Sequence, residues 1–386
     1  MEFNFDKSNW KKVKLGSVAF EYGKRINNPS ESEFDRFVGS SNIGQWDFRV
    51  QSWEATDSVT SAMKLFEPDD YLLVRRSLYA SDFRERAPRA HFSGVCSGDI
   101  LTIKENPEFI VDGFLIGIFN SPALWKFVVA NASGSITRRI KWKDLANYEF
   151  LLPPKDQQAQ LAKLLWAMDE VIEREKEVLG SVELKIKSIQ KMLFSKVNYP
   201  RIKLNKYSTI LGGYAFSSKS FINEGVPVIK IKNIVKGEIL VDDDSNYITP
   251  DVLNLDKYVL SQGDILIAMT GATLGKIGVV QNKYDGAFLN QRVGKFQMKK
   301  GIDRWFMKGV LDSEYFLNEL NKYIGEGAQG NISSEDVSKT LVPNLSESEM
   351  SDFGQKFESL YNSIKSLGNK ISSSKSLQKS LINQIF

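Results

Sequence analysis

Lys187-Ser-Ile-Gln-Lys191, near the end of one proline-free stretch, returns as Lys375-Ser-Leu-Gln-Lys379 near the end of another. The doubling extends outward along the chain. Trp10-Lys-Lys-Val-Lys-Leu15 corresponds to Tyr199-Pro-Arg-Ile-Lys-Leu204, and Val38-Gly-Ser-Ser-Asn-Ile43 to Ile229-Lys-Ile-Lys-Asn-Ile234. Asp70-Tyr-Leu-Leu73 matches Asp264-Ile-Leu-Ile267, and Phe92-Ser-Gly-Val95 matches Tyr284-Asp-Gly-Ala287. The offset runs from 188 to 194, about half of the 386 residues. A period this long marks a duplicated domain, because solenoid units repeat every ~20 to 50 residues. Two like halves in one chain can approximate the two-fold axis of a symmetric dimer. Such a chain suits a target that itself has two parts.

The two proline-free stretches, from Gln157 to Val197 and from Glu347 to Phe386, read as helices. Leu161, Leu165, Met168, Ile172, Glu175, Leu179, Val182, Ile186, Ile189 and Leu193 follow a four-three spacing in which Glu175 is the one polar member. That is the pattern of a coiled-coil seam. Phe353, Phe357, Leu360, Ile364, Leu367 and Ile371 carry it in the second stretch. There the apolar pattern loses phase through Ser372-Ser-Ser374 and resumes with Leu377 and Leu381, while the offset falls from 192 to 188. The second helix is therefore expected to lack four residues and to over- or underwind locally. Gly354 and Gly368 weaken it further. At ~1.5 Å per residue, such helices reach about 60 Å. Antiparallel pairing would relate the duplicated halves by a two-fold axis; the alternative is ordinary bundle helices with apolar faces.

Each half begins with mixed α/β character, rich in glycine and aromatics, with short strand-like runs at Tyr71-Leu-Leu-Val74, Asp99-Ile-Leu-Thr-Ile103 and Asp264-Ile-Leu-Ile-Ala268. The expected organisation is two similar mixed α+β domains at 1–154 and 199–345, each followed by a long helix, at 155–198 and 346–386. With 42% hydrophobic and 25% charged residues, the composition is that of ordinary globular domains. The single cysteine, Cys96, excludes an intramolecular disulfide and fits a reducing cytoplasm, and His91 has no second histidine to suggest zinc. No leader pattern or apolar run of ~18 residues is expected to take the chain into a membrane. The net charge of +4 points only weakly to a polyanion.

Met269-Thr-Gly-Ala-Thr-Leu-Gly-Lys-Ile-Gly278 is not a phosphate loop, because three residues instead of four separate Gly271 from Gly275 and Ile277 follows Lys276. Motifs for a flipped base, a dinucleotide, a serine nucleophile or a zinc hydrolase are also missing. Asp69-Asp70 and Asp242-Asp-Asp244 read as turn caps rather than metal ligands. The globular domains instead offer basic, amide and aromatic side chains: Arg75, Arg76, Tyr79, Arg84, Arg86, Arg89 and His91 in the first, and Lys230, Lys232, Asn233, Lys276, Asn290, Gln291 and Arg292 in the second. The arginine fork suits phosphate and the guanine edge, and Asn or Gln pairs with adenine. A solvated, locally ion-paired surface is the competing reading for any one of them.

Three features make the chain resemble the specificity subunit of type I restriction-modification systems. They are Gly263-Asp-Ile-Leu-Ile-Ala-Met-Thr-Gly-Ala-Thr-Leu-Gly-Lys-Ile-Gly278 followed by Leu289-Asn-Gln-Arg-Val293, the Leu152-Pro-Pro-Lys-Asp-Gln-Gln158 entry into a helix ending Met192-Leu-Phe194, and the terminal Ser380-Leu-Ile-Asn-Gln-Ile-Phe386. The resemblance implies two target recognition domains, each gripping one half of a split double-stranded DNA sequence, with an antiparallel rod fixing the gap. It adds Thr270 to the expected contacts. It also implies two methyltransferase subunits and restriction subunits as partners, carrying the S-adenosylmethionine, ATP and Mg sites, so that this chain is itself non-catalytic. The first domain departs from the pattern, with Arg75-Arg76-Ser77-Leu78 in place of Met269-Thr-Gly-Ala272 and Gly98 expected at the position of Asn290. The halves are therefore expected to read different bases. The second helix enters through Ser346-Glu-Ser-Glu349 rather than Glu-Gln. Rival readings are a coiled-coil scaffold that binds only proteins, and an enzyme with an unfamiliar site.

Overall fold

The computed structural model describes residues 6–386 apart from 58, 78–82, 136, 196, 198, 243, 250–254 and 325–329. Tyr79, one of the expected contacts, lies outside the described residues. The chain forms two units, Met1–Glu177 with Gly368–Phe386, and Val178–Leu367. The boundary falls inside both long helices, here α1 (Lys155–Leu193) and α2 (Glu347–Ile385).

The two helices correct the expectation of a shortened second seam. Each has 39 residues, and they begin and end 192 positions apart. The four-three spacing of α2 runs on from Ile371 through Ser374, Gln378, Leu381 and Ile385, whereas Leu377 is 57% exposed. Two seam positions are polar, and this hid the phase. Within the first unit the helices are antiparallel: Ser374 Oγ donates to Glu175 Oε2 (3.3 Å), and Gln378 Nε2 donates to the Leu165 carbonyl (3.5 Å). Leu161, Leu165, Leu381, Ile382 and Ile385 enter one core there, with Met168 packed against it. Ile172 is also buried, while Leu179, Val182, Leu367 and Ile371 are half-buried. In the second unit Ile186, Leu193, Phe353 and Phe357 are buried together, with Ile189, Leu360 and Ile364 packed against them.

Glu175 and Ser374 thus form a polar layer, a device that fixes helix register at a cost in stability. Replacing both by leucine is expected to raise first-unit stability by about 1–2 kcal/mol through added apolar burial. Urea unfolding of the full chain measures this, and a loss of stability would contradict the assignment.

Several strand pairings recur in the two globular parts. Lys11–Lys14 pairs with Glu149–Leu152, as Arg201–Lys203 pairs with Leu341–Pro343. Ile100–Glu105 lies between Ala19–Glu21 and Tyr71–Val74, and Val293–Met298 lies between Ser208–Gly212 and Ile265–Ala268. Each half also holds a parallel pair: Arg36–Val38 with Gly94–Cys96, and Val226–Ile229 with Phe288–Leu289. Tyr71–Val74 and Ile265–Ala268 are wholly buried, which explains their unbroken apolar runs. Ser121 Oγ and Ser313 Oγ, 192 positions apart, each cap a helix by accepting from the amides of Leu124 (3.3 Å) and Phe316 (3.1 Å).

The carboxylates before the buried strands are structural, as their turn-like contexts suggest. Asp70 Oδ2 accepts from the Glu67 amide (2.9 Å) and Asp70 Oδ1 faces Lys104 (3.3 Å). Asp264 Oδ2 accepts from the Ser261 amide (2.8 Å) and from Lys295 Nζ (2.7 Å). Gly263 has φ +88° and its counterpart Asp69 has φ +74°, so the same left-handed turn precedes both strands. Cys96 is buried in the first unit, and burial pushes its thiol up to about 12. No helix among the described residues is long and apolar enough to cross a membrane.

Candidate nucleic-acid interface

In the second unit, three turns meet where the strands Val226–Ile229, Ile265–Ala268 and Phe288–Leu289 end. The Asn290 amide donates to the Ile229 carbonyl (3.2 Å), and the Met269 amide donates to the Arg292 carbonyl (3.0 Å). Gly271, at φ +74°, lies against Ile231. Gly213 closes the site from behind, since a Cβ there would stand 2.3 Å from the Asn290 carbonyl oxygen. These backbone contacts leave Gln291 and Arg292 exposed and Thr270 half-buried on one edge. Lys230 flanks them, its Nζ donating to Asn246 Oδ1 (2.6 Å) and lying 3.9 Å from the Phe221 ring. Partial burial, then neighbouring Lys232, lowers its pKa. Lys232 Nζ reaches Asp242 (3.7 Å), and Lys276 is exposed.

The first unit repeats these backbone contacts with different side chains. The Ser97 amide donates to the Val38 carbonyl (3.1 Å) and the Arg75 amide to the Asp99 carbonyl (3.0 Å), reproducing the two contacts just described. The equivalent of Asn290 is therefore Ser97, not Gly98 as the sequence suggested; Gly98 faces Gln291 in the alignment of the halves, and Asp99 faces Arg292. Ser97 Oγ accepts from the Asp99 amide (3.2 Å) as Asn290 Oδ1 accepts from the Arg292 amide (3.4 Å). Asp99 carries two cations, Arg76 (2.7 Å) and Arg139 (3.1 Å). One half thus presents Thr270, Gln291 and Arg292, and the other Arg76, Gly98 and Asp99.

Not all expected contacts face outward. Asn233 is 2% exposed, with its carbonyl oxygen accepting from the Lys230 amide (2.9 Å) and its amide nitrogen donating to Leu240 O (2.8 Å) and Ser245 Oγ (3.0 Å). It supports the turn, with both amide N–H donors used internally. Asn290, 8% exposed, is likewise internal. Arg89 pairs with Asp112 and Asp69, and only 11% of its side chain is exposed. Arg75 is half-buried, Arg84 is exposed, and Arg86 Nη1 reaches the Ser40 carbonyl (3.5 Å). His91 is exposed and edge-on to Phe92 at 4.9 Å. Burial, then Arg49 and Arg36, lowers its pKa, which favours the neutral ring at physiological pH. The sequence reading missed Arg36 and Trp53, which come together only through the pairing of Arg36–Val38 with Glu54–Ala55.

The second unit also holds a cleft of about 1430 Å³ lined by Lys187, Lys236, Arg304, Lys308 and Tyr361. Lys308 lies 3.7 Å from the Tyr361 ring, and Tyr361 donates to Asp312 (3.1 Å). Among the described residues no group of three or more His, Cys, Asp or Glu could hold a metal ion.

The chain is thus a twice-repeated α/β unit with two long helices and a polar edge whose side chains differ between the halves. Residues 198–370 match the family described as "Type I restriction modification DNA specificity domain". The chain is 28% identical over 256 residues to the type I restriction enzyme MjaVIII specificity subunit of Methanocaldococcus jannaschii, covering 60% of this chain and 59% of that protein. It is 25% identical over 187 residues to the EcoAI specificity subunit of Escherichia coli, covering 47% of this chain and 32% of that one. The matched stretches thus span about three-fifths and one-third of those relatives' own lengths. Its fold resembles the S subunit of a type I restriction-modification system from M. genitalium, with TM-score 0.56, 16% identity and 98% and 96% coverage of the two chains. A chain from a type I R-M complex-assembly structure gives TM-score 0.53 at 17% identity, with 97% and 96% covered. Residues 198–370 thus carry a type I restriction modification DNA specificity domain, and the chain is similar to curated specificity subunits over about 60% of its length.

Proposed function

We propose that this chain selects a two-part double-stranded DNA target, each globular domain reading one half-site, and that it recruits subunits that modify or cut the DNA. The observation that carries the reading is the duplicated edge. The same backbone contacts present Thr270, Gln291 and Arg292 in one half and Arg76, Gly98 and Asp99 in the other. A shared scaffold with different hydrogen-bonding groups is what two different half-sites require. Lysines and arginines around each edge supply phosphate contacts that position the domain, and groove contacts specify it. The long helices set the gap and, with clefts such as that beside Tyr361, dock two methyltransferase subunits, which restriction subunits join. Methyl transfer and cleavage, with S-adenosylmethionine, ATP and Mg, belong to those partners.

The test follows from the unbroken heptads. Seven residues inserted in α1 and seven at the facing position of α2 add ~10 Å at 1.5 Å per residue. The gap between half-sites is expected to widen by about three base pairs, at 3.4 Å each, with both half-sites unchanged. Mapping modified bases in a host carrying the complex reads this directly. An altered half-site, or an unchanged gap, would overturn the division of labour.

A further inference from the structure

Arg36 stands at the start of the strand Arg36–Val38 in the first unit, and no motif pointed to it. Its guanidinium lies 4.8 Å from the Trp53 ring and 4.7 Å from the Phe92 ring. Those rings meet edge to face at 4.9 Å. Trp53 is 42% exposed and the Arg36 side chain 35% exposed. Among the described residues its one ionic neighbour is Asp35, 3.8 Å away and itself largely in solvent. The guanidinium thus packs against two rings, and among the described residues its N–H groups have no hydrogen-bond partner. This is an arrangement for planar, bidentate recognition rather than for internal support.

Arg36 and Phe92 stand at the start of the parallel pair Arg36–Val38 and Gly94–Cys96, one short strand's length from the Ser97–Asp99 edge at its end. His91 leans on Phe92, and Arg86 reaches Ser40 in the turn that leaves the Arg36 strand. In the second unit the corresponding strand, Val226–Ile229, leads into Lys230, which lies against the Phe221 ring. A cation lies on an aromatic ring near this strand pair in both halves, at the start of the strand in the first and just past its end in the second.

Resting on the function proposed above, we infer that Arg36 is a specificity-determining residue that reads a guanine in the first half-site through its O6 and N7, with Trp53 and Phe92 fixing its plane. A phosphate would satisfy the same fork, so the test separates the two. The full chain is co-expressed with its methyltransferase partner in a methylation-free host, and modified motifs are mapped for wild type, Arg36→Ala and Arg36→Lys. The expected result is that both variants lose discrimination at one guanine of one half-site by about ten-fold or more, while the other half-site keeps its sequence. Lysine cannot replace a bidentate fork, so Arg36→Lys decides the matter even if Arg36→Ala does not fold.

Weaker modification of an unchanged motif, restored by Arg36→Lys, would assign Arg36 to a phosphate and overturn the inference. An unchanged motif and rate in both variants would overturn it as well. A wild-type complex with no two-part motif would instead sink the functional reading on which it rests.

Discussion

Gly213→Ala is expected to be the most damaging single methyl group in the second unit. The added Cβ would stand 2.3 Å from the Asn290 carbonyl oxygen, 2.4 Å from its carbon and 2.5 Å from the Leu289 carbonyl oxygen. All three are backbone atoms, so no rotamer change relieves the clash. The segment they belong to is pinned on both sides, by Tyr214 N to Leu289 O (2.9 Å) and by Gln291 N to Tyr214 O (2.9 Å). Relief requires moving the turn that presents Gln291 and Arg292. We expect a loss of about 3 kcal/mol, the upper range for overpacking, in urea unfolding of the full chain. We also expect relaxed selection in the second half-site. Gly286→Ala is the control for space: no heavy atom lies within 4 Å of its Cβ, although its φ of +84° adds backbone strain. A Gly213→Ala variant as stable as wild type would mean that this turn is not held as described.

Arg49→Met should unseat the first unit's contact with α1. Arg49 Nε donates to Asp169 Oδ2 (2.7 Å) and Arg49 Nη2 to Glu170 (3.1 Å), and the Asp169 side chain is only 5% exposed. Removing one partner of a buried pair leaves an uncompensated charge. Because Arg49 is about one-third exposed, solvent offsets part of the loss, and we expect about 2–3 kcal/mol at neutral pH. Burial already raises the Asp169 pKa, with Arg49 opposing it. A carboxyl whose folded pKa is raised favours the folded state while protonated, and this contribution is lost as pH rises from its unfolded value through its folded one. Taking Arg49 away raises the folded value further. The difference between variant and wild type should therefore narrow as pH falls from 7 toward about 4. Asp169→Leu on the Arg49→Met background should recover most of the stability. A pH-independent difference would contradict the role given to Asp169.

The duplication and both long helices were legible because apolar spacing and local repeats are one-dimensional signals. The sequence misled at Ser374 and Gln378, where hydrogen bonds to Glu175 and the Leu165 carbonyl fill seam positions that apolar counting assigns to Leu377. The recurrent Lys-Ser-x-Gln-Lys pentapeptide gave an offset of 188, whereas the helices keep 192 from end to end. At the interface, residue type did not tell outward side chains from inward ones. Asn233 and Gln291 look alike in sequence, yet a turn consumes the first and leaves the second exposed. Arg89 stood in a basic run but is drawn inward by Asp112 from a distant segment. Arg36 and Trp53, 17 positions apart, carried no motif. Strand register made them neighbours, and register is a tertiary property.

Two like domains, sharing a scaffold but not its exposed side chains, are proposed to read two separated half-sites. The most direct measurement is single-molecule mapping of modified bases in a host whose one active modification system contains this subunit. We expect one motif of two unlike specified parts separated by a gap of fixed length and free sequence. A continuous motif, or two parts separated by a variable gap, would contradict it.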